Sequence, residues 1–141
     1  MNIYDLLNIN QVDKEKAIVD AITETRKELV GLSEDLTCKI YSSYLSEQLR
    51  KRHILYRKLD TKELKCPYSH IFLIVPIDEK ECYLIDLTYS QFHNRDFEEL
   101  LRKGYMRVNT DSLNDYIEIT GKKNSNISVK DVLKQERNVS K

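Results

Sequence analysis

Two apolar runs separated by three polar residues constrain this chain more than any other feature. "HIFLIVPI" (70–77) is nearly continuous in apolar character, "DEK" (78–80) is a turn, and "ECYLIDLTY" (81–89) resumes with β-branched and aromatic residues. That pattern is a β-hairpin. Because "FLIV" is apolar at consecutive positions, both faces of the first strand must be covered, which makes it a central strand with a helix on one side of the sheet.

The covering elements are upstream. "DKEKAIVDAITETRKELVG" carries Ala17, Ile18, Ala21, Ile22, Thr25 and Leu29 as a helical stripe ending at Gly31. After "GLSEDLT", "CKIYSSYLSEQLRKRH" sets Cys38, Tyr41, Leu45 and Leu49 on one helical face, so a second helix begins near Cys38. Ser33, Glu34 and Asp35 precede it, and Arg50, Lys51 and Arg52 end it, both in keeping with the helix dipole. "HILYRKLDT" reads as a strand and "KELKCPYS" as a break. "RDFEELLRKGY" is a short helix with Phe97, Leu100 and Leu101 on one face, stopped by Gly104, and "MRVNT" is an edge strand. "SLNDYIEITGKK" fits helix or strand. At 141 residues the chain is expected to be one domain over 1–121 with a polar tail over 122–141. The fold class is α+β.

Charged residues are 33% and hydrophobic residues 40%, and the formal net charge is +0, so nothing electrostatic calls for nucleic acid. No stretch approaches the roughly 20 apolar residues of a membrane span, and "MNIYDLLNINQVDKEK" lacks a leader's basic and apolar regions. A cytoplasmic protein is the expectation, although leaderless export would leave no mark. Three cysteines without CxxC or Cys/His spacing suggest neither a disulfide framework nor zinc, and no cofactor is called for.

Hairpin geometry brings three reactive side chains into reach. A tight turn near 78–80 puts residue 70 opposite the high eighties and Asp86 one diagonal step from His70. Cys38, at a helix N-terminus, is the third. A helix N-terminus and a neighbouring imidazolium lower a thiol's pKa from about 8.5 by several units. His70 would then be the base and later the general acid, Asp86 would fix its tautomer, and backbone N–H groups at the helix start would receive an oxyanion.

Residues 36 to 92 resemble the papain-like and transglutaminase-like cysteine enzymes. "CKIYSSYLSEQLRKRHILYRKLDT" is similar to their Cys helix and first core strand, "SHIFLIV" to the His strand and "YLIDLTYSQF" to the Asp strand. The last segment is closest in pattern to papain-like domains of bacterial toxins and effectors. The resemblance implies a Cys-bearing helix on a small antiparallel sheet, with Cys38 as nucleophile, His70 as base and Asp86 as orienter. It further implies a cysteine hydrolase that cleaves an amide of a peptide or protein, as endopeptidase or protein-glutamine deamidase. No tryptophan follows Cys38 and no glutamine stands a few residues upstream, so the second oxyanion donor is unassigned. The extra domains and cysteine motif of arylamine N-acetyltransferases are lacking.

Two other readings use the same residues: a leader peptidase or amine-accepting acyltransferase on this core, and a noncatalytic binding module with Cys38 buried. A peptide or protein is the expected substrate, and an activating or substrate-presenting protein partner is left open. Cys66 and Cys82 read as structural, His53 and His93 as capping or solvent-facing, with His93 as the reserve candidate. The nine tyrosines, Tyr41, Tyr44, Tyr68 and Tyr89 among them, read as core rim, with Tyr68 and Tyr89, which flank the proposed site, also placed to line a groove.

Overall fold

In a computed structural model of the protein, residues 11–33, 37–64 and 66–121 are described. Glu34, Asp35 and the segment 122–141 lie outside them. Helix α1 spans Gln11–Glu28 and α2 spans Cys38–Lys51. Strand β1 (Arg57–Asp60) leads through a 3-10 turn (Thr61–Leu64) to β2 (Ile71–Pro76) and β3 (Glu81–Ile85). A second 3-10 turn (Tyr89–Phe92), α3 (Glu98–Lys103), β4 (Tyr105–Asn109) and α4 (Thr110–Gly121) follow. The four strands form one antiparallel sheet in the order β1-β2-β3-β4, so β2 is interior and β4 an edge.

The apolar run is explained by what covers it. Along β2, Leu73 and Val75 point toward α1 and α2, where Ile18, Ala21, Ile22, Leu45 and Leu49 complete one core. Phe72 and Ile74 point the other way, into a second core with Leu113, Tyr116 and Ile117 of α4 and Leu100 of α3. All four β2 side chains have no exposed surface. At roughly 1.5–3 kcal/mol for each large apolar side chain buried, the two-sided packing of this strand is a main source of stability. Buried Lys14 of α1 donates from Nζ to the Pro76 carbonyl at 3.0 Å, tying the helix layer to the end of β2.

The hairpin turn is fixed locally. Asp78 Oδ1 accepts from the backbone N–H groups of Lys80 (2.7 Å) and Glu81 (2.8 Å), which pins the register Leu73↔Ile85. The segment 112–121, which fits either element as a sequence, is helical because Leu113, Tyr116 and Ile117 meet the sheet only at helical spacing. At the end of α3, Gly104 adopts φ +86, and a β-carbon there would stand 2.5 Å from Leu87 Cδ2. The Gly104 carbonyl accepts the Asp86 N–H at 3.0 Å, so this left-handed turn also places the aspartate. No helix among the described residues is long and apolar enough to cross a membrane.

Candidate active site

Cys38 is the first residue of α2, behind Thr37. The Thr37 side chain makes no capping bond; its hydroxyl donates instead to the Ser33 carbonyl at 2.6 Å. The first-turn N–H groups beside the cysteine are therefore left without that side-chain acceptor. Ser42, one turn on, donates to the Ile71 carbonyl at 3.3 Å and holds the helix start against the start of β2. Cys38 itself is partly exposed.

His70 immediately precedes β2 and is 1% exposed. Thr61 clamps its backbone: the His70 N–H donates to Thr61 Oγ1 at 2.8 Å, and the His70 carbonyl accepts the Thr61 N–H at 2.9 Å. The Thr61 hydroxyl in turn donates to the Tyr68 carbonyl at 2.7 Å. Phe92 stands edge-on to the imidazole at 4.7 Å between centroids. Asp86 follows β3 on the same sheet face, because the pairing Leu73↔Ile85 continues to set it opposite Phe72, one diagonal step from His70. His70 Nε2 lies 2.8 Å from Asp86 Oδ2, and both side chains are 2% exposed.

These neighbours set the electrostatics. Burial by itself pushes the His70 pKa down, but the Asp86 carboxylate, with a smaller contribution from Cys38, holds it up at about 9. Burial likewise disfavours the Asp86 carboxylate, yet His70, Tyr116 and the Thr88 N–H together keep its pKa below the usual value. For Cys38, hydrogen bonding to His70 is the largest influence and lowers the thiol pKa against a smaller upward push from burial, assisted by the Ile71 backbone. With Nε2 engaged by Asp86, Nδ1 is the ring nitrogen left for the thiol. The arrangement favours a thiolate beside an imidazolium.

The three residues singled out by the sequence are thus brought together. The other cysteines are core: Cys82 is fully buried in β3 with its pKa pushed up to about 12, first by burial, and Cys66 packs against Gly121 and Thr61. His53 and His93 are exposed in left-handed turns at helix exits, at φ 58 and 51, and neither joins the site. Tyr68 is 62% exposed nearby, but Tyr89 does not line a groove. Its ring is 1% exposed, packed against Phe97 and Tyr116 because the 3-10 turn directs it into the α4 core. Three residues were missed: Tyr116, whose hydroxyl donates to Asp86 Oδ2 at 2.6 Å, Thr88, which donates to Oδ1, and Thr61. The Thr two residues after Asp86 is an Asx-turn signal visible in "DLT"; Tyr116 had no local signal.

Among the described residues, no group of three or more His, Cys, Asp or Glu side chains is placed to hold a metal. An open cavity of about 650 Å³ lies elsewhere, between α4 and the segment before α3, lined by Asp96, Phe97, Ser112, Asp115, Glu118 and Ile119.

The paired charges have a measurable linkage. Where His70 is protonated and Cys38 ionised, the folded pair holds one proton, as the unfolded thiol and neutral imidazole do between the imidazole's ordinary 6.5 and about 9. Stability should therefore change little across that window. Cys38→Ala removes the compensating ionisation and leaves an imidazole raised by Asp86, which binds more protons folded than unfolded. Its contribution is complete below pH 6.5 and is lost as pH rises toward the folded value, at up to about 1.4 kcal/mol per pH unit. Urea denaturation at pH 6, 7 and 8 should show Cys38→Ala losing stability faster than wild type; parallel curves would mean the pair is uncharged.

No protein-family model, curated protein or solved structure matches this chain.

Proposed function

We propose that this chain is a cysteine hydrolase with a papain-like or transglutaminase-like core, acting on an amide of a peptide or protein. The observation that carries this reading is the placing of the partly exposed Cys38, at a helix N-terminus, beside His70, whose other side is bonded to buried Asp86. A buried His–Asp pair by itself is equally at home in a structural core. One whose outer end lowers the pKa of an accessible thiol is suited to nucleophilic catalysis.

The Cys38 thiolate adds to the amide carbonyl carbon, and the carbonyl oxygen takes up the negative charge. The backbone N–H groups at the start of α2, lacking a side-chain cap from Thr37, would donate to that oxygen. As the tetrahedral adduct collapses, the C–N bond breaks and the His70 imidazolium gives its proton to the departing nitrogen, leaving a thioester on Cys38. His70, now neutral, takes a proton from water as the water attacks the thioester. Collapse releases the carboxylic acid and returns the thiolate–imidazolium pair. Backbone amides make the enzyme an endopeptidase, with an amine leaving; a glutamine side chain makes it a deamidase, with ammonia leaving. Asp86 keeps the ring oriented and remains ionised throughout.

The test is iodoacetamide labelling of the wild-type protein from pH 4 to 9, with the modified peptide identified by mass spectrometry so that Cys66 and Cys82 are scored separately. Cys38 should label with a midpoint well below the ordinary thiol value of about 8.5. A midpoint at or above that value, or labelling only after unfolding, would overturn the reading in favour of a noncatalytic module.

A further inference from the structure

Asp86 is held by more than the imidazole. Its Oδ2 is shared between His70 Nε2 at 2.8 Å and the Tyr116 hydroxyl at 2.6 Å. Its Oδ1 accepts the Thr88 N–H at 2.9 Å and the Thr88 hydroxyl at 3.0 Å, and Gln91 Nε2 donates to that hydroxyl's oxygen at 3.1 Å. The carboxylate is therefore bonded on both oxygens by protein groups. Tyr116 has no exposed surface, Thr88 1% and Asp86 5%. The Tyr116 ring is itself fixed, edge-on to Phe72 at 4.9 Å and flanked by Tyr89 and Phe97 at 5.8 and 6.2 Å between centroids.

Resting on the cysteine-hydrolase reading above, we propose that Tyr116 is a positioning residue that sets how tightly His70 holds its proton, by donating to the very Asp86 oxygen that faces the imidazole. An oxygen that accepts a phenol hydrogen at 2.6 Å spreads its charge and attracts the imidazolium less than a bare one would. Both groups are buried, so in the low local dielectric the loss of that donor is felt strongly. Without it, Asp86 becomes more basic, the imidazolium is held more firmly, and the neighbouring thiolate persists to lower pH. The same change makes His70 a poorer acid toward the leaving nitrogen. Tyr116 thus trades some thiolate stability for proton mobility, and it acts from α4, through the carboxylate oxygen it shares with the imidazole it tunes.

The sign of the effect separates this role from packing. Tyr116→Phe keeps the ring and removes the donor; 3-fluorotyrosine at position 116 keeps the ring and strengthens the donor. Relative to wild type, the midpoint of Cys38 alkylation against pH should move to lower pH in Tyr116→Phe, by about half a unit or more given the strength of hydrogen bonds to charged groups, and to higher pH in the fluorinated protein. Thermal melts establish that each variant is folded; if Tyr116→Phe does not fold, the direction of the fluorinated protein's shift decides alone. Midpoints that coincide with wild type in folded variants, or that move in the same direction, would overturn the role of Tyr116 while leaving the thiolate pair standing. A wild-type midpoint at the ordinary thiol value would overturn both, and is distinguishable because it appears before any variant is made.

Discussion

Replacing His70 by alanine is expected to slow iodoacetamide labelling of Cys38 at pH 6 by up to about two orders of magnitude. An unassisted thiol with a pKa of about 8.5 is only ~0.3% ionised at that pH, whereas a thiol paired with an imidazolium is largely ionised. Hydrogen bonding to His70 is the largest of the influences that lower the Cys38 pKa, ahead of the Ile71 backbone. The first turn of α2 and the Ile71 N–H remain in the variant, so the midpoint should rise toward 8.5 and stop short of it. The labelling should also lose its dependence on titration near pH 9, where His70 gives up its proton in the wild type. Equal rates in His70→Ala and wild type, both folded by circular dichroism, would show that the helix terminus alone activates the thiol. His70 would then be structural.

Asp86→Ala is expected to be the most destabilising single change in the site, by about 3–5 kcal/mol at pH 6, as for removal of one partner from a buried ion pair. The loss is large because four donors are stranded together: His70 Nε2, the Tyr116 hydroxyl, and the N–H and hydroxyl of Thr88 all point into the space the carboxylate fills. Its pH dependence has a definite sign. With the carboxylate gone, burial, the largest single influence at His70, is opposed only by the smaller pull of Cys38, and the folded pKa should fall below the unfolded 6.5. The unfolded state then binds more protons below that value, so the variant loses stability as pH falls through 6.5 and recovers part of it above. This is opposite in sign to Cys38→Ala. Chemical denaturation of both variants at pH 5.5 and 8 checks the pair of slopes together; slopes of the same sign would mean that Asp86 does not control the imidazole.

Much of the site is legible in the residues because its geometry is made by short-range patterns. The apolar stripe that begins at Cys38 is a helical period, and α2 begins at that residue. The polar triplet 78–80 closes the hairpin, and a two-residue period then carries Asp86 to the face of His70. The strand before it is less well delimited: "HILY" is not part of β1, which starts at Arg57, because His53 leaves α2 in a left-handed turn and the chain crosses to the sheet first.

The partners of Asp86 and His70 follow a different rule. Thr61 clamps His70 from the end of β1, and Tyr116 reaches Asp86 across 30 residues of sequence. "IEIT" (117–120) alternates like a strand while Leu113, Tyr116 and Ile117 repeat like a helix, and only the apolar face of β2, β3 and β4 waiting opposite selects the helix. The sequence by itself determined the central hairpin, the helix that begins at Cys38 and the diagonal neighbourhood of His70 and Asp86, because periodicity is carried by adjacent residues. The tertiary structure alone decided that Tyr116 completes the carboxylate's hydrogen bonds and that Tyr89 packs against it instead of lining the site, because those contacts depend on which helix face the second side of the sheet buries.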